Sequence, residues 1–129
     1  MTGFNLDNTC LKKGFLDGEV AVVTGATSNV GRGYAQALAW AGAKVVVVGR
    51  NEERGAQVVA DIEADCGAGQ AIFVKCDVSK EEDMANLKEK ALAAFGKVDI
   101  LINNAMNLAL NGKVLESTID EIGRASCRE

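Results

Sequence analysis

The 129-residue sequence contains no histidine and no proline, and each absence excludes a class of function. Without histidine, the chain has no imidazole base, no Ser-His or Cys-His nucleophile pair and no metal site with a histidine ligand. Without proline, it has no rigid Pro-rich linker and no polyproline ligand. Any chemistry in this protein therefore depends on other side chains.

Basic residues are also few. The chain has 14 Lys+Arg against 18 Asp+Glu, a formal net charge of −4, and its longest basic run is Lys12-Lys13. This balance argues against a nucleic-acid surface and favours a small ligand as the partner. No stretch approaches the roughly 18 consecutive apolar residues of a membrane helix, and the N-terminus lacks the basic start and apolar core of a signal peptide. We expect a soluble, cytoplasmic protein without a membrane partner.

The cysteines do not form a recognisable framework. Their spacing contains no Cys-x-x-Cys pair and no zinc-ribbon pattern, so we expect reduced thiols and no metal site. The four are Cys10, Cys66, Cys76 and Cys127.

Short β-branched apolar runs alternate with longer amphipathic stretches. The apolar runs predict buried strands at 20–24, 44–48, 71–75 and 98–102. The amphipathic stretches predict helices at 31–42, 52–66 and 80–95. The order β-α-β-α-β-α-β predicts an α/β fold with right-handed crossovers: a Rossmann-type, doubly wound parallel sheet, truncated after about four strands.

Capping signals agree with these helices. Asn51 is predicted to cap the second helix, and Ser79 to open a capping box with Glu82 at the third. Glycines mark the helix ends, at Gly42, Gly67 and Gly96.

The chain divides into three predicted segments. Residues 1–15 are a lead-in, and residues 16–121 form the N-terminal half of a dinucleotide-binding domain. A fresh helix start at Ser117 does not develop, and residues 122–129 match the translation of a sequencing-adapter DNA. We therefore expect 122–129 to be a non-native tail.

A glycine-rich segment, Thr24–Gly33, connects the first strand directly to the first helix. Glycines allow a tight turn and let a pyrophosphate approach backbone amides at the positive end of the helix. A purely structural turn would also use glycine. The position between a strand and a helix of a βαβ unit favours nucleotide binding.

Motifs beyond this turn carry a family resemblance. Thr24-Gly25, Gly31, Cys76-Asp77-Val78 and the run Asp99–Ala105 together resemble the classical branch of the short-chain dehydrogenase/reductase family. The resemblance implies a hydride-transferring oxidoreductase that acts on a small carbonyl or alcohol and forms a homo-oligomer. The implied cofactor-binding residues are Thr24, Gly25, Thr27, Ser28, Asn29, Val30, Gly31, Arg50, Asp77, Val78, Asn104 and Ala105.

By this resemblance, Asp77 would bind the adenine amine, and the amide after it, at Val78, would meet the ring. Asp77 could instead serve only as a partner of the third helix dipole. Asn104 and Ala105 would line the cofactor ribose, and Asn103 is expected to tie neighbouring strands together.

Two residues depart from the family pattern. Asn29 replaces a usual glycine, and we expect the turn to survive because asparagine tolerates a left-handed backbone. Its side chain would either bond the diphosphate or crowd it. Met106 stands where the family has a small residue, and we expect it to pack outward, the alternative being a narrowed site.

The end of the second strand bears on cofactor choice. An NAD-binding carboxylate is absent there, where Gly49 is followed by Arg50. A guanidinium can bind a 2′-phosphate, so NADP(H) is predicted over NAD(H). The alternative is that Arg50 only pairs at the surface with Glu52 and Glu53.

The catalytic Ser, Tyr, Lys and Asn of the family have no match in this chain. The single tyrosine, Tyr34, is followed four residues on by Leu38, not lysine, so we expect it to be structural. The chain is therefore predicted to be the inactive cofactor-binding part of an NADP(H)-dependent oxidoreductase. The alternatives are a non-catalytic nucleotide-binding module and, among enzymes, a 3-oxoacyl-thioester reductase.

Overall fold

A computed structural model describes residues 12–106 of the chain. The predictions for most of the 1–15 lead-in, for the helix start at Ser117 and for the 122–129 tail lie outside the described residues, as do Cys10 and Cys127.

The predicted order of elements is confirmed. The strands are β1 (Val20–Thr24), β2 (Lys44–Gly49), β3 (Ala71–Lys75) and β4 (Ile100–Ile102). The helices are α1 (Asn29–Trp40), α2 (Glu52–Cys66) and α3 (Glu81–Phe95). No helix among the described residues is long and apolar enough to cross a membrane.

All strand pairs are parallel, in the order β3-β2-β1-β4. β2 and then β3 lie on one side of β1, and β4 pairs with β1 on the other side. All four strands therefore end at the same edge of the sheet, which is where parallel α/β sheets bind ligands. Every residue of β1 is buried, as its continuous apolar run predicts.

The valine runs supply a core to both faces of the sheet. Because side chains alternate along a strand, Val45 and Val47 pack against α1 and α2, whereas Val46 and Val48 face α3. Ile62 of α2 completes the first core. The two-sided burial explains why these strands are apolar at every position.

Two helix starts test the capping predictions. Asn51 caps α2, where its Oδ1 accepts from the Arg54 N–H at 2.9 Å, as predicted. The capping box at Ser79 is wrong: α3 begins one residue later, after Lys80, because the Ser79 hydroxyl bonds Asp77 instead of the helix.

Other element boundaries also differ, and β2 extends one residue past its predicted end, to Gly49. The first helix spans 29–40, not 31–42: it begins directly after Ser28 and is capped at Ala41, one residue before Gly42. The fourth strand begins at Ile100, because the Asp99 carboxylate accepts a hydrogen bond from the Val20 N–H at the start of β1. The third helix begins at Glu81.

Candidate functional site

The glycine-rich turn lies at the carboxyl edge of the sheet and is bonded to β2, since the Ala26 N–H donates to the Val48 carbonyl at 2.9 Å. Gly31, in the first turn of α1, lies almost against this turn. A Cβ at Gly31 would be 2.1 Å from the Gly25 carbonyl oxygen and 2.5 Å from Asn104 Nδ2. Only glycine therefore fits at position 31.

Gly25 is restricted in two ways. Its φ of +63° is in the left-handed region, and a Cβ there would be 2.9 Å from the Ala105 Cα. The Asn104 side chain closes the same contact, because its Nδ2 donates to the Gly25 carbonyl at 3.2 Å. The segment after β4 therefore packs directly on the turn.

The Thr24 side chain joins the glycine-rich turn to the segment after β4. Its buried hydroxyl accepts from the backbone N–H groups of Asn104 and Ala105, each at 3.1 Å, and donates to the Ile102 carbonyl at 3.4 Å. One threonine hydroxyl thus satisfies three backbone groups at the point where β1 and β4 end.

The expected tie by Asn103 is not formed among residues 12–106. Asn103 is exposed, and the side chain that joins the two strand ends is Asn104. The strand period of two could have indicated this, since Ile102 packs on the α1 side of the sheet and Asn104 follows it by two residues.

The N-terminus of α1 lacks acidic residues. Asn29 adopts φ +50°, so the expectation that asparagine sustains the left-handed turn is confirmed. Ser28 precedes the helix without a side-chain cap, and no acidic residue lies in the first turn. The first turns of α2 and α3 carry two and three acidic residues, respectively. The positive end of the α1 dipole is thus not balanced by a carboxylate of its own first turn.

At the end of β2, Gly49 is buried against Thr27 of the glycine turn, and Arg50 follows it on the surface. The surface pairing suggested for Arg50 is not formed: among residues 12–106, Glu52 pairs with Lys75 at 3.4 Å and no ion pair includes Arg50. The guanidinium therefore remains available to a ligand at this edge.

Asp77 follows β3 at the same edge. Hydrogen bonds from the Ser79 hydroxyl, at 2.7 Å, and from the Ser79 N–H, at 3.0 Å, lower the pKa of Asp77, and the Arg50 charge lowers it further. Both bonds go to Oδ1. Within the described part of the chain, Oδ2 has no hydrogen-bond partner, so it faces a ligand or water.

The helix-partner interpretation of Asp77 also receives support from the geometry. The Asp77 N–H donates to Asp83 Oδ2 at 2.8 Å, and the Lys80 N–H donates to the Asp77 carbonyl at 2.9 Å. Val78 packs, half-buried, on the α3 face of the core. Asp77 thus organises the α3 entry through its backbone and its Oδ1.

The remaining predicted residues have weaker contacts. Val30 is 61% exposed and Met106 is 62% exposed, so Met106 does point away from the described core. Tyr34 is exposed on α1. No group of three metal-ligating residues occurs among the described residues. Cys66 and Cys76 are free thiols whose pKa is raised by burial, so both favour the protonated form.

The site thus consists of two adjoining groups. Thr24, Gly25, Gly31, Asn104 and Ala105 contact one another where β1 and β4 end. Thr27, Gly49, Arg50 and Asp77 lie where β2 and β3 end. The contact of Thr27 with Gly49 was missed from sequence because Thr27 lies in the glycine-rich turn and Gly49 at the end of β2, and only the folded chain brings them together.

Known proteins are similar to this chain in sequence. The sequence model of the family described as short chain dehydrogenase matches residues 19–125. The 3beta-hydroxysteroid dehydrogenase of Mediterraneibacter gnavus is 48% identical over 92 residues, which are 71% of this chain and 33% of that protein. The NAD(+) 15-hydroxyprostaglandin dehydrogenase of Bos taurus is 40% identical over 90 residues, 70% of this chain and 34% of that protein. The chain spans about a third of the length of these relatives.

Solved structures agree. The 3-ketoacyl-(acyl-carrier-protein) reductase of Brucella melitensis, complexed with NADH, superposes with a TM-score of 0.70 at 40% identity, covering 85% of this chain and 43% of that one. The glucose dehydrogenase of Caenorhabditis elegans in its apo-form gives a TM-score of 0.67 at 34% identity, covering 70% of this chain and 38% of that one.

Proposed function

Because this chain belongs to the short-chain dehydrogenase family, we propose that it is the cofactor-binding part of an NADP(H)-dependent oxidoreductase that interconverts a carbonyl and an alcohol. When bound, the cofactor supplies or accepts the hydride. The chain's own residues bind and orient the dinucleotide, and none of them is assigned to proton transfer. The parent protein is proposed to act on a small molecule as a homo-oligomer.

The observation that carries this proposal is the closed contact among Gly25, Gly31 and Asn104. Positions 25 and 31 admit no Cβ, so the turn packs tightly on the first turn of α1, as it would in a site that binds a diphosphate at the positive end of a helix. The lack of an acidic residue in the first turn of α1 supports an anionic ligand there. The residues present therefore fit a dinucleotide.

Two further residues would hold the adenosine half. Asp77 would accept the adenine amine on Oδ2, since its Oδ1 is already bonded to Ser79. Arg50 would bind the 2′-phosphate with a guanidinium that forms no ion pair with a described acidic residue. Asn104 and Ala105 would contact the ribose on the nicotinamide side.

The preference for NADP(H) is proposed from the end of β2 alone. Relatives named for NAD(+) belong to the same family, so membership does not decide the cofactor. At Gly49 the chain has no carboxylate to accept the ribose hydroxyls of NAD, and the nearby Arg50 supplies positive charge.

Substrate class follows the relatives only broadly. Two of the named relatives act on hydroxyl groups and one on a 3-ketoacyl group. We propose a hydroxyl/ketone pair, and the 3-oxoacyl-thioester reductase remains the second candidate because the reductase from Brucella melitensis covers 85% of this chain.

The chain offers a matched pair of glycines for testing the site. Gly31→Ala places its methyl against the Gly25 carbonyl, whereas a Cβ at Gly33, two residues on, meets nothing within 4 Å. We expect Gly31→Ala to weaken NADPH binding at least about tenfold, measured by fluorescence titration, because the turn must open. Gly33→Ala should change it less than about twofold. Equal affinities for the two variants would refute a site built on this turn.

A further inference from the structure

Thr27 and Gly49 occupy one space at the end of β2. An ideal Cβ at Gly49 would be 2.4 Å from Thr27 Cγ2, 3.0 Å from its Oγ1 and 3.3 Å from its Cβ. The first distance is far below van der Waals contact. The Thr27 methyl therefore takes the place that any side chain at position 49 would need.

The backbone on both sides of this contact is fixed by hydrogen bonds. The Ala26 N–H, next to Thr27, donates to the Val48 carbonyl at 2.9 Å, and the Cys76 N–H donates to the Gly49 carbonyl at 3.0 Å. A side chain at 49 cannot be accommodated by a shift of β2 without breaking these bonds. Relief has to come from Thr27, whose β-branched side chain is stiff.

We propose that Thr27 is a specificity-determining residue: its methyl group excludes a side chain, and hence a ribose-binding carboxylate, from the end of β2. This inference deepens the proposed function and rests on it for its cofactor consequence. With position 49 restricted to glycine, the first side chain after β2 is that of Arg50. Replacing the glycine alone should then fail to convert the site to NAD(H), because the new side chain is displaced by Thr27.

The test is a double-mutant cycle on the whole chain with NADPH and NADH as the titrants. Gly49→Asp alone should weaken NADPH binding at least about tenfold, through repulsion of the 2′-phosphate, without strengthening NADH binding. Combined with Thr27→Ala, which leaves only the Cβ at 3.3 Å, the same aspartate should strengthen NADH binding at least about tenfold over Gly49→Asp alone. An equal effect of Gly49→Asp on NADH binding in both backgrounds would overturn the proposal.

A second cycle tests the packing without any cofactor. Gly49→Ala should lower the thermal unfolding midpoint by at least about 4 °C when Thr27 is present, and by less than half of that beside Thr27→Ala. Gly33→Ala is the control and should have the same effect in both backgrounds, since its Cβ meets nothing within 4 Å. Additive effects of Gly49→Ala and Thr27→Ala would show that the two residues do not compete for space.

The outcomes separate the inference from the proposed function. Wild-type chain that binds NADH at least as tightly as NADPH contradicts the NADP(H) preference, while the coupling is still read from the NADH titrations. Chain that binds neither nucleotide contradicts the proposed function, and the thermal cycle then decides the competition between Thr27 and Gly49.

Discussion

At the residue scale, the Thr24 hydroxyl is the polar group on which the site depends most. It is 1% exposed and is the one buried polar side chain in the described range. The N–H groups of Asn104 and Ala105 both point at it, so it connects the turn after β1 with the segment after β4. Without it, two backbone donors at a crowded strand end would lose their acceptor.

Thr24→Val should therefore lower the free energy of unfolding by about 1–3 kcal/mol, since valine keeps the shape and removes the acceptor. Thr24→Ser is the matched control, because it retains the hydroxyl and loses only a methyl group. Urea unfolding monitored by circular dichroism measures both. If valine proved no more destabilising than serine, the hydroxyl would have no structural role.

Residue-level predictions from sequence succeeded where one residue type decides the conformation. The left-handed φ at Asn29 follows from the tolerance of asparagine for that region. In the described range Asn104, not Asn103, makes the tie between strand ends; neighbouring asparagines are indistinguishable by type, and only the direction of each side chain in the folded chain decides between them.

At the element scale, α2 lies close to β3 because of another glycine at which a Cβ does not fit. A Cβ at Gly55 would be 2.2 Å from ring atoms of Phe73, so the ring packs directly on the helix backbone. Glycine inside a helix normally costs about 1 kcal/mol relative to alanine. Here close packing on the sheet offsets that cost.

Gly55→Ala should thus destabilise the chain by about 1–3 kcal/mol despite the better helix propensity of alanine. The exposed helical Gly33 gives the opposite case, and Gly33→Ala should stabilise by up to about 1 kcal/mol. Chemical unfolding of the two variants compares them directly. Stabilisation by both would mean that propensity outweighs the contact with Phe73.

The existence and order of the elements could be predicted from sequence, whereas several boundaries could not. Hydrophobic periodicity specified all seven elements because buried parallel strands and amphipathic helices differ in length and pattern. The start of α3 was misplaced because the Ser79 side chain could bond either the helix or a neighbouring residue, and it donates to Asp77 instead of capping the helix. Such local competition is invisible to a pattern of residue types.

At the scale of the whole molecule, Asp99 closes the edge of the sheet opposite the candidate site. Its Oδ2 accepts from the Val20 N–H at 2.9 Å and from the Lys97 ammonium at 2.9 Å. The Lys97 hydrogen bond, followed by the bond from Val20, lowers the pKa of Asp99. The start of β1 is thereby fixed to the start of β4.

A lowered pKa in the folded state stabilises the fold above the unfolded-state pKa of about 4, and this contribution is lost as the pH falls through the folded-state value. The free energy of unfolding of the wild-type chain should therefore fall as the pH is lowered below about 5. Asp99→Asn should be less stable at pH 7 and should lose less on acidification. Glu89→Gln, an exposed change in the middle of α3, is the control and should follow the wild type in urea titrations at each pH. An unchanged pH dependence in Asp99→Asn would contradict this role.

The proposed NADP(H) site at the carboxyl edge of the sheet is tested by equilibrium titration of the chain with NADPH and NADH. We predict NADPH to bind at least about tenfold tighter, through Arg50, which corresponds to about 1.4 kcal/mol. Arg50→Gln should remove most of the difference, whereas Arg54→Gln, on the exposed start of α2, should leave it intact. Equal affinities for the two nucleotides, or a preference for NADPH that survives Arg50→Gln, would contradict an NADP(H) site that depends on Arg50.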